Sequence, residues 1–118
     1  MTRRERAQQP EDLARLFVQR ALERDADGLT DLYEPDAVLA YPPGQQTVGR
    51  DAIHAVFSAM LAAAPPFKVE EPLPTLRFGD LALTSTRPAD GTGGRVQVAR
   101  RQPDGSWLRI MDRPEAPS

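Results

Sequence analysis

The sequence predicts an α+β domain in which three N-terminal helices pack on one side of a curved antiparallel sheet. Three observations carry this expectation. Apolar residues recur at helical spacing only in the first half of the chain, up to Ala64. Strand-like segments broken by Gly and Pro turns fill the remainder. A length of 118 residues suits one core rather than two.

Residues 1–9 are polar and charged without periodicity and read as a disordered tail. Pro10 suits the first turn of a helix, and Glu11 and Asp12 sit near the positive end of its dipole. Leu13, Leu16, Phe17 and Ala21 form an apolar stripe, widened by Val18 and Leu22, so a helix is expected over 10–24. Asp27 is the expected N-cap of a short second helix carrying Leu29, Leu32 and Tyr33 and stopped by Pro35. Ala37 to Tyr41 read as a strand ended by Pro42-Pro43-Gly44. Ile53, Val56, Phe57, Met60, Leu61 and Ala64 mark a third helix that starts near Arg50 or Asp51 and stops at Pro65-Pro66.

Strands follow. Pro72 and Pro74 make residues 67–78 an edge strand or a broken, bent one. Residues 81–87 and 95–101 pair across a Gly-rich loop at 90–94. Pro103-Asp104-Gly105 then turns the chain into a last strand over 106–113, leaving 114–118 as a tail and 10–113 as the domain. Short helices over a bent sheet leave a concavity, where small-molecule pockets tend to lie.

Composition removes several functions. Without cysteine there is no disulfide framework, thiol nucleophile or iron–sulfur ligation, and one histidine cannot build a His-rich metal site. Scattered charge with a net of −2 lacks the basic face of a nucleic-acid binder, and Arg3, Arg4 and Arg6 read as a solvated tail. No apolar run is long enough for a bilayer and no signal segment is evident, so a cytoplasmic protein without a cofactor is expected. Arginine far outnumbers the single Lys68 and alanine is abundant, as in high-GC bacteria.

Three short elements together resemble the nuclear-transport-factor-two-like superfamily, in its SnoaL-like and steroid-delta-isomerase-related form. They are Tyr33-Glu34-Pro35-Asp36-Ala37, Gly49-Arg50-Asp51-Ala52-Ile53, and the strand and turn from Val98 to Trp107. The resemblance covers roughly residues 10–113. It implies a cone-shaped half-barrel that is usually homodimeric through the outer sheet face. It also implies a pocket for a small apolar or aromatic metabolite. Activities in the superfamily range from isomerases and cyclases to non-catalytic binding and dimerisation modules.

Steroid isomerases of that fold use a carboxylate base, a phenol and a protonated acid. The matching positions hold Tyr41, Phe17 and Gln97, so that machinery is not expected here. The remaining acid is Asp112. Strict alternation places it on one face with Leu108 and Ile110, and Trp107, Arg109 and Met111 on the other. Asp112 is thus either a pocket acid or the partner of Arg113, Arg109 or Arg50 in a salt bridge. Tyr41 is a candidate to assist it, or a half-buried strand aromatic. Phe17, Tyr33, Phe57, Gln97 and Ile110 are the expected pocket lining, with Tyr33 also fitting the core of the second helix. His54 reads as a flank residue of the third helix and Trp107 as packing. Acid–base catalysis on an apolar metabolite stands beside non-catalytic binding and homodimerisation.

Overall fold

Each helix is set by its apolar stripe and stopped by a local signal. The structure is a computed structural model, and it describes residues 4–63, 70–87 and 94–116. Helix α1 (Asp12–Leu22) buries Leu13, Leu16 and Ala21, but Leu22 is exposed rather than part of the stripe. Helix α2 (Ala26–Thr30) is capped by Asp25, whose side chain accepts the Gly28 N–H at 2.9 Å; Asp27 does not take that role. Helix α3 (Arg50–Ala62) begins after Gly49, where φ is +89°, and buries Ile53, Phe57 and Leu61.

Tyr33 belongs to no helix. The Leu32 carbonyl already accepts the Arg109 N–H at 2.8 Å, and Tyr33 opens strand β1 (Tyr33–Leu39). The i, i+3, i+4 spacing of Leu29, Leu32 and Tyr33 mimicked a helix, and sheet pairing overrode it. Six more strands follow: β2 (Thr47–Val48), β3 (Glu71–Pro72), β4 (Leu76–Phe78), β5 (Leu81–Arg87), β6 (Gly94–Arg101) and β7 (Trp107–Ala116). The sheet runs β2-β1-β7-β6-β5-β3, with β4 also paired to β5.

All neighbours are antiparallel except β1 and β7, which run parallel. The expectation of a wholly antiparallel sheet is corrected at that pair, because no hairpin joins β1 to β7 and dictates their direction. The β6–β7 hairpin turns where expected, with Gly105 at φ +88°. The Gly-rich loop at 90–94 lies, apart from Gly94, outside the described residues.

Both chain ends depart from their expectation as tails. Ala7 is buried and its carbonyl accepts the Trp107 N–H at 2.9 Å, while Arg4 bonds Asp25 at 2.9 Å. Missing periodicity signals only that a segment is not a helix or strand; it says nothing of its partners. Strand β7 likewise runs on to Ala116, opposite Gly94, because β6 offers it backbone to pair with.

Candidate functional site

Strand β7 carries the site, and a break in its alternation creates it. Ala99 of β6 stands opposite Arg109 and Val98 opposite Met111, so Ile110 has no partner on β6. One extra residue on one strand is a β-bulge, and it inverts the facing of everything beyond it. Trp107, Arg109 and Asp112 are therefore buried while Met111 is exposed. In a regular strand Arg109 and Asp112, three apart, would face opposite sides. This corrects the expectation that Asp112 shares a face with Leu108 and Ile110, and of the three arginines offered as its salt-bridge partner it selects Arg109.

Strand β1 adds the third member. Tyr33 lies beside Arg109 in the parallel register. Its hydroxyl donates to Asp112 Oδ2. Arg109 Nη1 donates to the same phenol oxygen at 3.2 Å and reaches Asp112 Oδ2 at 3.4 Å. Tyr33 is fully buried, and Arg109 and Asp112 are 4% and 5% exposed. Two aromatic rings flank the guanidinium, and a third packs on both of them. The guanidinium lies 5.4 Å from the Phe17 centroid and 5.8 Å from that of Tyr33, and the Phe57 ring stands 5.6 Å from Phe17 and 5.5 Å from Tyr33.

Burial and the Asp112 charge hold the Tyr33 phenol well above its usual range, so it is a donor at neutral pH. Burial works against the Arg109 charge, but the Asp112 carboxylate and the hydrogen bond to the Tyr33 oxygen outweigh it and raise its pKa. One carboxylate oxygen is thus committed. The other, Asp112 Oδ1, is buried and among the described residues has no hydrogen-bond partner, and the same holds for Arg109 Nε. An unmet buried acceptor of this kind costs about 1–3 kcal/mol, and any donor that reaches it recovers that energy.

The remaining expected residues fall around this cluster with unequal roles. Gln97 is buried opposite Asp112 across the β6–β7 pair, and its Oε1 accepts from Thr84 at 3.0 Å. Ile110 is the bulge residue and is half-buried. Tyr41 is half-buried against the core, and among the described residues its hydroxyl makes no hydrogen bond; Tyr33 is the phenol on Asp112. His54 meets the Asp27 carboxylate at 2.7 Å on the surface, and Trp107 joins the core. Arg109 was expected only as one of three possible salt-bridge partners of Asp112, and its place between Leu108 and Ile110 was the further signal that it could be buried. Among the described residues no group of three or more acidic or His side chains is placed to hold a metal, and no helix is long and apolar enough to cross a membrane.

The model of the SnoaL-like domain family matches residues 14–112. Among solved structures, an NTF2-like protein of unknown function from Pseudomonas putida is 25% identical, with a TM-score of 0.69, covering 91% of this chain and 83% of that one. A ketosteroid isomerase-like protein from Erwinia carotovora is 20% identical at a TM-score of 0.72, covering 92% and 93%. An NTF2-like protein with a cystatin-like fold from Novosphingobium aromaticivorans is 21% identical at 0.66, covering 89% and 77%. These last two similarities speak to fold alone. No curated protein matches the chain.

Proposed function

Since the chain belongs to the SnoaL-like domain family, we propose that it binds a small, largely apolar metabolite against the concave face of the sheet, with Asp112 as its polar contact. The observation that carries this reading is the free Asp112 Oδ1, buried next to a phenol and a guanidinium that hold the rest of the carboxylate in place. Half-buried Phe17, Tyr41, Val56 and Met60 pack on the same core and supply apolar contact for such a ligand. A ligand hydroxyl or acidic C–H that displaced the side chains covering Oδ1 would meet an acceptor, the first requirement of a general base. Tyr33 and Arg109 keep the carboxylate oriented and offset charge beside it.

A non-catalytic binder is the second reading. It is favoured by Arg109, whose Nη1 lies 3.4 Å from Asp112 Oδ2 and, with the Tyr33 hydroxyl, occupies that carboxylate oxygen with a structural partner. Both readings require Asp112 to accept a hydrogen bond from the ligand, and naphthol against naphthalene tests that. The folded protein is expected to bind naphthol more tightly, by about tenfold, as one charge-assisted hydrogen bond allows. Asp112→Leu combined with Arg109→Met, which leaves no uncompensated buried charge, should erase the preference while the circular dichroism spectrum stays native. Equal affinity for the two probes in the unmodified protein would remove Asp112 from the site.

We also propose a homodimer through the outer sheet face. Val48, Val38, Met111, Val98, Leu83 and Leu76 are register partners in succession, forming one apolar row across six strands. Val48, Met111 and Leu76 are more than half exposed, and at about 4.8 Å per strand the row is about 24 Å long.

A further inference from the structure

A cleft of about 620 Å³ opens between residues 4–7, Arg20, the α2–β1 turn, Arg50 and residues 106–108. Neither Arg109 nor Asp112 lines it. Its walls hold four guanidiniums, on Arg4, Arg6, Arg20 and Arg50, against the two carboxylates of Glu5 and Asp31. That local excess of positive charge stands in a chain whose net charge is −2.

The four cations are not equivalent. Arg4 is engaged by Asp25 and Asp31, and Arg6 by Asp104. Arg20 is 5% exposed and meets only carbonyl oxygens, donating to Gly28 at 2.8 Å and to Glu5. Arg50 donates its Nε to the Tyr33 carbonyl at 2.8 Å, and among the described residues its two terminal nitrogens have no hydrogen-bond partner. Among the described residues the hydrogen bonds of these two guanidiniums go to backbone carbonyls, although Asp25, Asp31 and Glu5 lie near enough to attract the Arg20 charge. Burial, reinforced by the charge of Arg4, lowers the Arg20 pKa, the mark of a cation that a further negative charge would stabilise. Leu32, Trp107 and Leu108 give the same cleft an apolar wall.

We propose that this cleft binds a small organic anion, its carboxylate or phosphate head on Arg50 and Arg20 and its flat apolar body against Trp107. The guanidinium fork matches the oxygen pairs of either head group, and the volume lies within the range of metabolite sites. The site is separate from the one at Asp112 and does not depend on it.

Trp107 is the only tryptophan, so its indole N–H resonance reports the cleft directly. Phenyl phosphate and benzoate are the probes, with phenol and inorganic phosphate as the two halves. Saturable movement of that resonance by either aromatic anion, at lower concentration than by phenol or inorganic phosphate, is the expected result. The tighter of the two anions identifies the head group. Arg50→Gln should weaken the binding about tenfold, while Arg113→Gln, on the exposed side of β7, should leave it unchanged. If Arg50→Gln fails to fold, Arg6→Gln at the cleft rim should still weaken binding about threefold. The proposal falls if neither anion saturates, if phenol or inorganic phosphate alone binds as tightly, or if the loss in Arg113→Gln equals that in the cleft variant.

Discussion

The Tyr33 hydroxyl is the group whose chemistry the fold changes most, and its consequence appears at high pH. Burial and Asp112 raise its pKa in the folded protein above the value of about 10 of an unfolded chain. Above about pH 10 the unfolded chain therefore holds fewer protons than the folded one, and stability falls as pH rises toward the folded pKa. Below about pH 10 the contribution is fully present. With Tyr41→Phe as background, leaving Tyr33 the only tyrosine, the urea midpoint should drop above about pH 10. Adding Tyr33→Phe should abolish that drop, and an unchanged pH profile would refute the raised pKa. Arg109 sets a second test. Removing it alone, as Arg109→Met, leaves Asp112 buried with an uncompensated charge and should cost about 3–5 kcal/mol in chemical denaturation. Replacing both, as Arg109→Met with Asp112→Leu, should restore most of that loss. Asp112 and the aromatic residues Phe17 and Phe57 were legible from the sequence as residue types on the right elements. Arg109 was legible only as one of three possible partners of Asp112, and its burial was not, because a charged residue in a half-exposed strand is ordinarily assigned to solvent.

At the scale of the element, two short features decide where side chains point. Helix α3 was legible because six apolar residues repeat at 3.6-residue spacing, and most of the β5–β6 and β6–β7 pairing followed from turn residues. The β7 bulge was not legible, since one extra residue in an alternating strand has no local signature and exists only relative to β6. The boundary of α2 failed for a related reason: the competitor for Tyr33 was a strand 76 residues later in the chain. Helix α2 also makes an unusual forecast. Gly28 lies inside a helix, where Gly→Ala ordinarily stabilises by about 0.5–1 kcal/mol. Here the added methyl would lie 2.3 Å from Asp25 Oδ2 and 3.0 Å from Arg20 Cδ. Gly28→Ala should instead destabilise by about 1 kcal/mol, because it displaces the cap. A higher urea midpoint for this variant would show that the cap carries no weight.

For the whole molecule, the order of helices and then strands was enough to give the α+β class, while the parallel β1–β7 pair required knowing which distant strands meet. The same sheet organises the proposed dimer. Sedimentation at micromolar concentration should give twice the 13.0 kDa chain mass, and Met111→Lys, in the middle of the apolar row, should return it to a monomer. A chain that sediments as a monomer before substitution would sink the interface. The strand order carries a further consequence, for synthesis. Strand β7 leaves the ribosome after the other six strands and yet stands between β1 and β6, joining the two halves of the sheet. Until it emerges, β1 has only the two residues of β2 to pair with, and Arg109 and Asp112 are not yet there to meet Tyr33. The nascent chain must hold its helices and their apolar stripes without a completed sheet, and the buried cluster forms in the same step that closes the fold.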